Sequence, residues 1–158
     1  MPDMIEHETT TTEAVKVARV ARLLGLSSQL RNPLEVHDLL RQGLPTRALR
    51  HLIDNLKILE LQNTSLEKAV GMSLRTYQRR NKTPAKPLSK LQTDKTWKFA
   101  EILAKATEVF GSQEEAEQWL QRPAIGLNQR RPIDLLETPA GLELVEDFLE
   151  RLEYGVYV

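Results

Sequence analysis

Apolar residues recur along this chain every three or four positions and nowhere in strict alternation, so the sequence reads as helical nearly throughout. Residues 13–24 carry Val17, Val20, Leu23 and Leu24 at that spacing, and Gly25 closes the segment. Asn32-Pro33 restarts a helix with Leu34, Val36, Leu39 and Leu40 as its apolar members and Gly43 as its stop. Pro45 opens another, where Leu49, Leu52, Ile53, Leu56, Ile58 and Leu59 predict a broad buried face. Residues 88–110 predict a long helix closed by Gly111, and Ser112 with Glu115 three places later is a capping-box signature for the helix that holds Ala116, Trp119 and Leu120. Pro132 starts a short helix, Thr138-Pro139 stops it, and Thr138 caps a longer one. There Leu142, Val145, Leu149 and Leu152 form a stripe that Leu144 and Phe148 widen. The expected fold class is all-α. Residues 1–12, polar with a run of Thr, read as a loose arm, and 122–131 read as a loop from their Pro, Gly and Asn content. Trp97 and Trp119 are expected in the core, the usual place for aromatics at helical spacing.

At 158 residues, 41% apolar and 28% charged, the chain can hold one or two small domains with real cores. Cysteine is absent, which removes disulfides and thiolate chemistry. No apolar run approaches the roughly 18 residues needed to cross a bilayer, and the first residues lack a basic-then-apolar signal, so the expected location is cytoplasmic. His7, His37 and His51 are scattered, with neither HExxH nor a glycine-rich phosphate loop beside them. Glu143, Glu146, Asp147 and Glu150 repeat at helical spacing opposite an apolar stripe, the pattern of a solvated face. No catalytic residue, metal ligand or cofactor is expected.

Net charge is zero, but it is unevenly spread. Between Thr64 and Lys98 nine Lys and Arg face only Glu67 and Asp94, while from Pro132 onward seven acids face Arg151 alone. That asymmetry suggests a basic surface for a polyanion in the middle and a separate acidic module at the end. Within the basic part, residues 65–70 predict a short helix, Gly71-Met72 a tight turn, and Ser73 the cap of a second helix. Together they make a helix-turn-helix closed by Leu66, Val70, Met72, Leu74 and Tyr77. The candidate DNA-contacting residues are Ser73, Arg75, Thr76, Gln78 and Arg79 on the second helix. Arg can fork onto guanine, Gln can pair with adenine, and a hydroxyl can meet phosphate or base. Arg80 and Lys82, with Lys86, would sit along the phosphates. Glu67, Leu74 and Arg80 depart from the commonest helix-turn-helix pattern, and a solvated basic face is the alternative. A linker at 84–87 ends the unit.

The last five residues, Tyr154, Gly155, Val156, Tyr157 and Val158, are apolar and aromatic where a solvated tail would be polar. A frayed end is one reading; a tail covered by this chain's core, a second copy or a partner is the other.

The ordered string Trp119-Leu120, Pro123, Gly126, Arg131-Pro132-Ile133-Asp134-Leu135-Leu136, Gly141, Val145 and Leu152-Glu153-Tyr154-Gly155-Val156-Tyr157 follows a helix-turn-helix and a long helix. In this it resembles the Xre-type antitoxins of RES-Xre toxin-antitoxin modules. Residues from about 98 on are similar to the family's toxin-binding domain, and 44–86 more loosely to its DNA-binding domain. The division this implies is 1–43 as N-terminal arm and helices, 44–86 as the helix-turn-helix domain, 87–97 as the connecting part of the long helix, and 98–158 as the toxin-binding domain. The resemblance implies two partners: a cognate RES-domain toxin that depletes NAD, and operator DNA through which the antitoxin represses its own operon. Toxin contact is implied at Tyr154, Gly155, Val156, Tyr157 and Val158, supported by Asn128, Arg130 and Arg131 of the loop and by Leu135. A homodimer, from the two-fold symmetry of such readers, or a higher hetero-oligomer with the toxin is expected. A pocket that stacks a base and binds phosphates suits an aromatic plug and a terminal carboxylate, so Tyr157 and Val158 are candidate mimics. The rival reading is a transcriptional or plasmid-partition regulator whose C-terminal domain mediates self-association.

Overall fold

The computed structural model describes residues 2–26, 30–61 and 63–155. Among them lie nine α-helices: α1 (Pro2–Leu23), α2 (Pro33–Gln42), α3 (Thr46–Asp54), α4 (Asn63–Val70), α5 (Leu74–Arg80), α6 (Lys90–Phe110), α7 (Gln113–Gln121), α8 (Pro132–Leu135) and α9 (Pro139–Glu153). A 3-10 turn spans Ile125–Leu127, and two isolated bridges, Pro45 with Pro87 and Ala124 with Arg130, are the strand-like pairings among the described residues. The all-helical class expected from periodicity is what folds.

Helix α6 is the axis. Its start is a reciprocal cap: the Gln92 N–H donates to Ser89 Oγ at 3.2 Å and the Ser89 N–H to Gln92 Oε1 at 3.0 Å. Its end is Gly111 at φ 92°, whose N–H returns to the Thr107 carbonyl. Trp97, Phe99, Ala100, Ile102, Leu103 and Ala106 are buried on several sides of it, the pattern of a helix enclosed by others. Helices α1, α2, α4, α7 and α9 all pack against it. The buried side chains form one cluster that runs from Val20 in α1 to Leu149 in α9.

Several expectations need correction. Residues 2–12 are not a loose arm but the first half of α1. Val20, Ala21 and Leu24 are buried at its far end, and a helix nucleated there extends toward Pro2 at little further cost, with proline tolerated at the first position. The helix that opens after Pro45 stops at Asp54 instead of running to Leu59. Asn55 closes it with a side-chain N–H to the His51 carbonyl at 2.8 Å. The Leu56 N–H still returns to the Ile53 carbonyl, and the three amides after it, of Lys57, Ile58 and Leu59, turn away to Glu117, whose side chain is wholly buried. Nor is 84–87 a mere linker: Thr46 N–H and Oγ1 both donate to the Lys86 carbonyl (3.0 and 2.8 Å) and the Arg47 N–H donates to the Pro84 carbonyl at 2.9 Å. Leu144 does not widen the buried stripe of α9; it is exposed. Trp97 is buried as expected, whereas Trp119 is half-buried at the edge of the core.

The α8–α9 corner follows its local signals. Thr138 Oγ1 accepts the Gly141 N–H at 3.0 Å, and a Cβ at Gly141 would lie 2.0 Å from the Leu135 carbonyl oxygen, so only glycine lets the two helices approach.

Candidate functional site

The helix-turn-helix comprises α4, its turn and α5. Gly71 at φ 71° makes the left-handed turn, and its N–H donates to the Glu67 carbonyl at 2.9 Å. Leu66, Val70, Met72 and Tyr77 are buried as expected, with Leu74 packed partly against them. Burial raises the Tyr77 phenol above its usual range, against a hydrogen bond from Asn81 that lowers it. With Tyr77 inward, Arg75, Gln78 and Arg79 face solvent, and Lys82 is exposed just beyond the helix.

The two hydroxyls among the candidates are otherwise engaged. Ser73 Oγ accepts the Thr76 N–H at 3.2 Å and donates to Thr76 Oγ1 at 3.0 Å, so both half-buried side chains serve the cap. Arg80, also half-buried, donates from Nη1 to the Pro87 carbonyl at 3.4 Å. Pinning of 84–86 onto the start of α3 sets Lys86 beside Arg47, a neighbour sequence reading missed because the two are far apart in the chain.

The second cluster lies at the other end. Loop 122–131 closes on itself, with the Ala124 N–H donating to the Arg130 carbonyl at 3.0 Å and the Gln129 N–H to the Ala124 carbonyl at 2.9 Å. Asn128 and Gln129 stand at φ 56° and 63°, a left-handed pair that Asn accepts more readily than Gln. Asn128 and Arg130 are exposed on this loop. Arg131 makes a two-pronged pair with Asp134 (Nε to Oδ2 2.8 Å, Nη2 to Oδ1 2.9 Å), and Lys68 of α4 reaches the same carboxylate at 3.4 Å. The Arg131 hydrogen bonds hold the Asp134 carboxyl below its usual range, with Lys68 adding to the effect. Leu135 is half-buried at the α8–α9 corner. Tyr154 and Gly155 are exposed where α9 ends, Gly155 at φ 70°. Val156, Tyr157 and Val158 lie outside the described residues. Thus the loop residues and the end of α9 form two exposed groups, while Arg131 and Leu135 are half-buried.

Sequence reading missed a third group. Ile125 is 85% exposed, beside Gly126, where a Cβ would meet the Phe148 ring 2.1 Å away. Phe148 stacks on Trp119 (centroids 5.7 Å, planes 11° apart), and Trp119 leans on Phe110 at 5.3 Å. Leu144, one turn before Phe148, is 55% exposed. The available signal was a lone isoleucine in a Pro, Gly and Asn loop.

For bond-making chemistry the arrangement offers little. Among the described residues no group of three His, Asp or Glu is placed to hold a metal. His51 Nδ1 lies 3.1 Å from the Leu23 carbonyl, Glu146 pairs with Lys98 at 3.5 Å, and Glu153 pairs with Lys105. Glu143, Asp147 and Glu150 are exposed on α9. Among the described residues no helix is long and apolar enough to cross a membrane.

Comparison with known proteins matches each cluster to a family. Residues 35–101 match the antitoxin Xre-like helix-turn-helix domain, and residues 105–155 match the antitoxin Xre/MbcA/ParS C-terminal toxin-binding domain. Similar curated proteins include an "Antitoxin Xre" of Pseudomonas putida (strain KT2440), 28% identical over 138 residues, which span 87% of this chain and 82% of the relative. A protein of the same name from Yersinia enterocolitica is 27% identical over 129 residues (73% and 86%), and one from Photorhabdus laumondii 26% over 128 residues (77% and 80%).

Proposed function

Because this chain belongs to the antitoxin Xre family, with a helix-turn-helix domain and a C-terminal toxin-binding domain, we propose that its partner is a RES-domain toxin that depletes NAD. The family is non-enzymatic, so the chain acts by binding. On this reading the tail formed by Tyr154, Gly155, Val156, Tyr157 and Val158 covers the entrance to the toxin's nucleotide pocket, where an aromatic ring can take the place of a stacked base. Asn128 and Arg130 support it from the neighbouring loop. Arg131 and Leu135 act from behind, by holding that loop and the corner beneath it. A working division places the toxin-binding unit at 98–158, joined through the 87–97 part of α6 to a DNA-binding unit at 44–86 and an N-terminal unit at 1–43.

At the DNA end, Arg75, Gln78 and Arg79 present donors to base edges, and Lys82 and Arg80 flank them toward phosphates. Ser73 and Thr76 set the angle of α5 through their mutual cap. Two copies reading a symmetric operator give repression of the chain's own operon.

The observation that carries the reading is the exposed Tyr154 and Gly155 at the very end of the region matched to a toxin-binding domain. Removing residues 154–158 tests it. The truncated chain is expected to keep its helical signal and its operator affinity but to let the toxin consume NAD. Undiminished protection of NAD at equal concentration overturns the plug.

A further inference from the structure

The toxin-binding match ends at Gly155, so a partner surface should exist within α7, the loop and α9 as well as in the tail. We infer that the patch formed by Ile125, Leu144 and the edge of Phe148 is the toxin's anchoring surface, taking a partner hollow that is apolar at its centre and basic at its rim. This rests on the toxin-binding reading above and deepens it.

Scattered exposed aliphatics are normal on any protein, so the case depends on how these are held together. Ala124 just before the 3-10 turn and Leu127 at its end are buried, which forces Ile125 outward. Gly126 lets that turn sit directly on the Phe148 ring, since any Cβ there would collide with it. The ring cannot give way, because Trp119 stacks behind it and Phe110 behind Trp119. Leu144 precedes Phe148 by one helical turn and so adjoins it on the same side of α9. Two large aliphatic side chains therefore stand in water beside a stacked aromatic floor. A pre-formed, rigid apolar surface loses little side-chain freedom on binding, which is what an anchor needs.

Three observations select the occupant. The patch lies entirely inside the matched toxin-binding region. It is continuous with the tail along α9: Asp147 and Arg151 follow Leu144 by three and seven positions on the same face, and with Glu150 and Tyr154 they line a shallow hollow at the end of the helix. On α9 the exposed acids Glu143, Asp147 and Glu150 beside it outnumber the exposed Arg151, so this side of the patch is net negative: a second copy of the same face would be repelled, whereas a basic rim on a different protein would be drawn in.

Anchor and plug then separate two properties that one surface would confound: the patch supplies affinity and the tail supplies inhibition. The test titrates the full chain, by calorimetry, with the purified cognate RES-domain protein that the proposed function requires. The pair Ile125→Asp with Leu144→Asp is expected to bind about a hundredfold more weakly or worse, at unchanged melting temperature and operator affinity. The pair Ile125→Met with Leu144→Met, apolar and flexible, is expected to bind as the wild type does, and the chain lacking 154–158 to bind within about tenfold of it. Wild-type affinity in the Asp pair overturns the anchor and leaves the toxin reading standing. Absence of binding by the wild-type chain overturns both.

Discussion

Of the polar joints between the helix-turn-helix region and the C-terminal region, two are built on opposite terms. At the first, the wholly buried Glu117 carboxylate of α7 accepts N–H groups from Lys57 (2.8 and 3.0 Å), Ile58 (3.0 Å), Leu59 (2.9 Å) and the Gln113 side chain (2.9 Å). At the second, Asp134 of α8 meets Arg131 and Lys68, and all three side chains keep part of their surface in water. A buried carboxylate has given up its hydration and is tolerable only because fixed donors replace it. The exposed triad keeps its hydration, so its attraction is screened and its rupture is cheap. The first joint holds the segment leading into α4 in one shape; the second can open and close at little cost.

Glu117→Ala breaks the comparison most severely. Three neighbouring amides lose their acceptor and a cavity opens under Leu59, at an expected cost of about 3 kcal/mol. Urea unfolding followed by circular dichroism measures it. Glu117→Gln keeps the shape and one good acceptor, so its cost falls well below that of the alanine variant. Equal costs would mean that packing, not the carboxylate, holds the loop.

Gly141→Ala comes next. A Cβ 2.0 Å from the Leu135 carbonyl oxygen cannot be relieved by rotating a side chain, so the α8–α9 corner must open, for roughly 1–3 kcal/mol. Because α8 carries Asp134, that opening also loosens the second joint. The double variant with Asp134→Asn is therefore expected to cost less than the two single changes added together. Strict additivity would show the corner and the triad to be independent.

What could be read from the sequence was what is local. Gly71 with Ser73, Ser112 with Glu115, and Thr138 with Pro139 each mark an element boundary within a few residues, and the structure places boundaries there. The end of α3 was illegible because its cause, Glu117, lies 58 positions from Leu59. The helical state of 2–12 was hidden by a Thr run with weak intrinsic preference, overridden by packing at the far end of α1. The candidate surfaces divide in the same way. Exposure of Arg75, Gln78 and Arg79 follows from the period of a helix with Tyr77 inside. The pairing of Asp134 with Lys68 and the outward turn of Ile125 beside Phe148 join residues far apart in the chain, which nothing nearby announces.

The smallest effect sharpens the comparison from its exposed side. Arg131 first, and Lys68 after it, hold the Asp134 carboxyl below its ordinary range, so its folded pKa lies below its unfolded one. Between those values the unfolded chain binds the proton the folded chain refuses. The stabilisation is therefore complete above about pH 4, the unfolded carboxylate value, and is lost as pH falls through the folded one. Asp134→Asn removes it, with an expected loss of up to about 1 kcal/mol at neutral pH and low salt, shrinking as salt is added. In thermal melts the wild type and variant are expected to differ at neutral pH and to converge in acid. A difference that persists unchanged into acid would mean that Asp134 serves α8 by shape alone, and the contrast between a buried charged joint and an exposed one would lose its second half.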